Sequence, residues 1–78
     1  MYKQISSTYY EVWSKIGHSK LPDPFTTKED AEKAIIETIN KQIQAGFTPC
    51  EWKVMRVDWQ VIYCDNEIVY EAQYAVKV

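Results

Sequence analysis

One histidine, two cysteines, two glycines and three prolines are all that 78 residues supply of these types, and each scarcity excludes something. With His18 alone, and no histidine or cysteine pair at metal-ligand spacing, neither a zinc site nor a nucleophile with its base can be assembled from recognisable parts. Gly17 and Gly46 stand singly, so no glycine-rich loop is present to cradle a phosphate. No catalytic group, metal or cofactor is expected, and the chain reads as a non-enzyme. The longest apolar run, Val61-Ile62-Tyr63-Cys64, falls far short of the ~20 residues a membrane-spanning helix needs. Met1 to Gln4 leads into Ile5 and the polar Ser6-Ser7-Thr8 rather than into an apolar stretch, so no secretory signal is expected. Nine basic and eleven acidic residues are interspersed, without the basic stripe that duplex nucleic acid requires. Together with two cysteines that the strand reading below keeps apart, these absences lead us to expect a cytoplasmic protein.

Aromatic residues, in contrast, are abundant: six tyrosines, three tryptophans and two phenylalanines make 14% of the chain. The hydrophobic share of 46% suits a folded domain, and the length suits one domain spanning 1–78. A chain this short buries only about 60% of the surface its unfolded form exposes. Large rings must therefore either fill a thin core or face a partner.

Periodicity assigns four elements. Tyr9 to Ile16 alternates, with Tyr10, Val12, Ser14 and Ile16 on one side and Tyr9, Glu11, Trp13 and Lys15 on the other, the period of a strand. Tyr2 to Ile5 either extends this strand or adds a fourth beside it. Gly17 to Pro24 is a turn-rich break. The spacing predicts a helix from about Thr27 to Ala45, opened by Thr26 or Thr27 as the cap, with Glu29 placed to close a capping box with Thr26. Its apolar stripe comprises Ala31, Ala34, Ile35, Thr38, Ile39, Gln42 and Ile43, and Gly46 is its C-terminal stop.

From Trp52 onward the pattern is that of one long hairpin turning at Asp65-Asn66. An unbroken register sets Met55, Val57, Trp59, Val61 and Tyr63 against Val76, Tyr74, Ala72, Tyr70 and Ile68, making an apolar face for the helix to cover. Arg56, Asp58, Gln60, Ile62 and Cys64 then share the other, mostly polar, face. Strands this long call for strong twist or a bulge, expected near Arg56 to Asp58. Cys50 and Cys64 fall about 45 Å apart along a straight strand, too far for a disulfide. The expected architecture is a two-layer α+β domain of β-α-β-β order: one long helix on one face of a mainly antiparallel sheet of three, or with Tyr2 to Ile5 four, strands.

Function is expected to reside in surface recognition. On the side of the sheet away from the helix this reading places Tyr9, Trp13 and Trp52 with Val54, Ile62 and Val69, and on the polar hairpin face Arg56, Asp58 and Glu71. Tyr9, Trp13, Trp52, Arg56 and Glu71 are the candidate binding residues. The expectation is a small protein-binding module, an inhibitor or regulator of the kind phages and mobile elements encode, docking through the outer sheet face or an edge strand. A homodimer through the same face is a variant of it. The alternative is binding of a small ligand or of single-stranded nucleic acid, with Tyr9, Trp13 and Trp52 stacking on bases and Lys3, Lys15, Lys53 and Arg56 on phosphates.

Overall fold

A computed structural model describes residues 1–15 and 19–78, so Ile16, Gly17 and His18, assigned above to a strand end and a turn, lie outside the described residues. The chain forms β1 (Tyr2–Ser14), α1 (Lys28–Gln44), β2 (Trp52–Cys64) and β3 (Glu67–Lys77). The strands make one antiparallel sheet in the order β1-β2-β3 with β2 central, and α1 packs against it, an α+β arrangement. Tyr2 to Ile5 extends β1 rather than forming a strand of its own.

The helix starts and stops where its sequence dictates. Thr27, not Thr26, is the N-cap: its backbone is extended and its Oγ1 accepts the Asp30 amide at 3.1 Å. Glu29 and Asp30 occupy the first turn and Lys41 the last, both favourable to the helix dipole. At the far end Gly46 adopts φ +83°, its N–H donates to the Ile43 carbonyl, and Phe47 N–H donates to that of Gln42. These two bonds close a Schellman motif. Open space surrounds Gly46, so the left-handed backbone alone sets the outcome of substitution. Gly46→Ala is expected to cost about 1 kcal/mol, read as a lowered thermal midpoint, and Gly46→Asn less.

Ala31 is fully buried, and Ala34, Ile35, Thr38, Ile39 and Gln42 are half-buried, as the stripe predicts. Ile43 departs from it and stands exposed. Val12 of β1, Ala31 of α1 and Val54 of β2 form the buried cluster between the layers, with Tyr10, Leu21, Phe25, Ile35 and Trp52 packed around it. The helix therefore covers the sheet side carrying Tyr10, Val12, Trp52 and Val54. This reverses the expected facing of the hairpin: Met55, Val57, Trp59, Val61 and Tyr63 lie on the side away from α1. The reason is that β2 is apolar on both faces at its start, and alternation alone does not choose between them.

The bulge also falls elsewhere. The expected pairing holds for Cys64 with Glu67 and Tyr63 with Ile68, and then shifts by one residue, with Ile62 opposite Tyr70 and Val61 opposite Glu71. Val69 is the extra residue, and the stretch from Arg56 to Asp58 is regular. Beyond it Tyr70, Ala72, Tyr74 and Val76 turn toward the helix side, and Glu71 and Gln73 toward the outer side. Asp65 (φ 50°) and Asn66 (φ 69°) form the two-residue turn, both left-handed as such a hairpin requires.

The molecule is long: 56 × 22 × 20 Å, with a radius of gyration of 16.1 Å, against about 11 to 12 Å for a globule of this length. Among the described residues α1 touches β1 and β2 but not β3, so the far half of the sheet has no helix over it. Trp59 and Tyr63 face away from α1, and Tyr70 and Tyr74 are exposed beyond its reach, contrary to their expected burial beneath it.

Candidate functional site

Among the described residues, two surfaces with no element packed on them carry most of the exposed aromatic and apolar side chains: the outer face of the sheet and the free edge of β3.

The outer face is built by alternate residues of β1 and β2. Met55, Val57 and Val61 lie on it, all buried, and half-buried Tyr9, Trp13, Trp59 and Tyr63 stand beside them. Register explains the grouping: Tyr9 lies opposite Val57 and Ser7 opposite Trp59, so the Tyr9 and Trp59 rings are diagonal neighbours. Trp13 is held on two sides. Its Nε1 donates to Glu11 Oε1 at 3.3 Å, and Lys53, directly opposite, places Nζ 5.9 Å from the ring centre. Lys20 reaches Glu11 Oε2 at 2.8 Å, and that hydrogen bond and its charge raise the Lys20 ammonium above its ordinary pKa. At the mouth between β1 and β2, Lys15 and Glu51 pair at 2.6 Å; the hydrogen bond and the opposite charge raise the lysine and lower the glutamate. Both side chains are exposed, so the pair contributes little to stability.

The five residues singled out from sequence are divided by the fold. Tyr9 and Trp13 share the outer face as expected, with Glu71 opposite Val61 on the same side. Trp52 does not join them: it lies on the helix side, packed on the Val12 cluster, with its buried Nε1 unpaired among the described residues. Val54 and Ile62 move to the helix side with it. Arg56 also lies there, opposite Tyr10, its Nε 3.5 Å from Asp58 Oδ2. Asp58 in turn accepts the Thr8 hydroxyl at 2.9 Å, so the carboxylates of Asp58 and Glu71 stand on opposite faces. Trp59 and Tyr63 are the outer-face residues that sequence reasoning assigned elsewhere. Their alternation with Val57 and Val61 was the visible signal, attached to the wrong layer.

No family model, curated protein or solved structure matches this chain. Its surfaces must be read on their own geometry.

At the tip of the sheet Met1, Tyr2, Lys3, Ile5, Tyr63, Asp65 and Asn66 line an open cleft of about 470 Å³. Among the described residues no group of histidine, cysteine and carboxylate side chains is arranged to hold a metal, and Cys50 and Cys64 are both free and exposed. No helix among them is long and apolar enough to cross a membrane.

The second surface is β3. Ile68, Val69, Tyr70, Tyr74 and Val76 are all exposed on it, Tyr74 at 60%. Tyr70 and Tyr74 flank Ala72 on one side of the strand, and the Tyr74 phenol raises the pKa of Tyr70, first by hydrogen bonding and then by charge. The opposite edge of the sheet is treated differently. Ser19 to Phe25 runs along the end of β1, with Tyr10 and Phe25 exchanging both backbone bonds at 2.8 Å and Leu21 N–H donating to the Val12 carbonyl.

Proposed function

We propose that this is a non-enzymatic, cytoplasmic protein-binding module, an inhibitor or regulator that docks a protein partner on its outer sheet face. One observation carries the reading: Tyr9, Trp13, Trp59 and Tyr63 form a row of half-exposed aromatics along the outer face beside buried Met55, Val57 and Val61, with no element among the described residues packed over them. Interfaces are enriched in such rings at their centres, where they bury large area at little cost in rotamer entropy. The polar rim is supplied by Glu11, Lys20, Lys53 and Glu71.

The test is affinity capture from lysate of the source cell with wild type, Tyr9→Ala, Trp59→Ala and the helix-surface control Ile36→Ala, after circular dichroism confirms folding. Truncating a central aromatic is expected to weaken capture of the same partner at least tenfold, with the control unchanged. Equal capture by all four proteins removes the outer face from the proposal.

A second reading loses Trp52 and Arg56, which lie on the helix side, and keeps a smaller set of residues on the outer face. Asp58 leaves this face while Lys3, Lys53 and Lys77 fall on it by register, an arrangement that suits single-stranded nucleic acid. Against it, Lys53 already sits over the Trp13 ring that would stack on a base. Oligonucleotide binding that weakens steeply between low and moderate salt would favour this second reading over protein docking.

A further inference from the structure

We propose that the open edge of β3 pairs with β3 of a second copy, antiparallel and centred on Ala72, joining two three-stranded sheets into one of six strands. This surface is separate from the outer aromatic face, and the inference does not depend on the function assigned to that face.

The backbone is arranged for it. Val78 N–H donates to the Val54 carbonyl at 3.1 Å, in step with the β2–β3 register. In an antiparallel ladder alternate residues direct both backbone polar groups to the same neighbour. Val76, Tyr74 and Ala72 therefore face β2, and Ala75, Gln73 and Glu71 point their N–H and C=O groups outward. Among the described residues no segment of the chain pairs with them. Natural edge strands are usually blunted by proline, by charge near their centre or by a covering segment. β3 has no proline, its only lysine is its last residue, and α1 does not reach it; its one central charge, Glu71, is set opposite Gln73 rather than opposite itself by the register proposed. The edge of β1 contrasts with it: half is covered by Ser19 to Phe25, and the open half carries Lys3, Gln4, Ser6, Ser7 and Thr8.

The sequence of β3 also selects its occupant. Read outward in both directions from Ala72, its central stretch is self-complementary: Glu71 mirrors Gln73 and Tyr70 mirrors Tyr74. A twofold axis through Ala72 sets Glu71 opposite Gln73 of the second copy, with their outward backbone groups facing each other. Tyr70 comes opposite Tyr74 of the second copy, so four phenols surround the two small alanines on one face. Aromatic pairs directly across strands are among the stabilising ones, and opposite charges likewise. The bulge at Val69 lies outside this central stretch; past it Glu67 falls on the helix side and Lys77 on the outer side, so the ends of the strand add no ion pair. Neighbouring registers lose the match. Centring on Glu71 opposes two carboxylates, and centring on Gln73 sets Tyr74 against Ala72 and Glu71 against Ala75.

Sedimentation equilibrium of the full chain, from micromolar to near-millimolar concentration, tests this. Wild type is expected to show a reversible dimer. Gln73→Pro removes an outward N–H that the monomer does not use, a substitution an edge strand tolerates, and is expected to sediment as a monomer with unchanged circular dichroism. Gln73→Lys, opposite Glu71 of the second copy, is expected to tighten the dimer and Gln73→Glu to weaken it. Two symmetry-related pairs at cross-strand magnitudes amount to about 2- to 30-fold in dissociation constant each way. A wild type that stays monomeric throughout overturns the proposal. So does a dimer indifferent to all three substitutions, and loss of that dimer in Trp59→Ala would place the contact on the outer face.

Discussion

Val12→Ala is expected to remove about 2 to 3 kcal/mol of folding stability, by losing two buried methyl groups and leaving a cavity between layers that cannot collapse onto it. Val12 is 0% exposed and sits where the sheet and the helix meet, against Val54 and Ala31. Its carbonyl also accepts the Leu21 amide, which fixes the backbone on the side away from β2. A chain of this length holds about 4 to 12 kcal/mol in total, so this side chain carries between about a sixth and three quarters of it. At a urea m-value of about 1 kcal/mol/M the midpoint falls by about 2 to 3 M. Ile36→Ala, on the exposed side of the helix, should move it little. A Val12→Ala midpoint within experimental error of wild type would mean that the layers do not meet as described.

Ala31→Leu is expected to destabilise from the opposite direction, by about 1 to 3 kcal/mol, because the added carbons have no room. Ala31 is the helix residue pressed onto the sheet, fully buried in the same cluster. A longer side chain there must lift the first turns of α1, and Trp52, packed on the same cluster, will report the displacement as a change in fluorescence. Leucine is a good helix former, so a loss of stability cannot be ascribed to propensity. An Ala31→Leu protein as stable as wild type, with unaltered tryptophan emission, would show that the interface accommodates the leucine.

The elements of this fold are legible in the sequence, while their facing is not. The threonines and Gly46 mark the ends of α1 because capping is local chemistry, a matter of three or four consecutive residues. The Asp65-Asn66 turn is legible for the same reason. The polar run Ser6-Ser7-Thr8 conceals the continuity of β1, since those residues lie where no helix covers the sheet and nothing demands an apolar pattern. Facing depends on which side of β2 joins the apolar side of β1, and Trp52 and Val54 compete there with Met55 and Val57. One inserted residue, Val69, then exchanges the two sides of β3 and returns Tyr70 and Tyr74 to the helix side, where they stand exposed because α1 does not reach that strand. Of the candidate site, Tyr9 and Trp13 were legible because each faces outward by simple alternation; Glu71 keeps its expected side only because the reversed facing of the hairpin and the bulge at Val69 offset each other, and Trp52 required knowing where the helix docks.

Strand β2 meets its two neighbours at unequal cost in chain entropy. β3 follows across a two-residue turn, whereas β1 is separated from β2 by the whole stretch from Lys15 to Glu51. Loop-closure entropy grows with the logarithm of loop length, so bringing β1 alongside costs on the order of 2 to 3 kcal/mol more than folding the hairpin. Apart from ladder bonds, that sum is offset chiefly where Val12, Ala31 and Val54 come together. The small cluster thus acts as the clasp of a large loop, tying the N-terminal strand and the helix to a hairpin assembled from its own near neighbours.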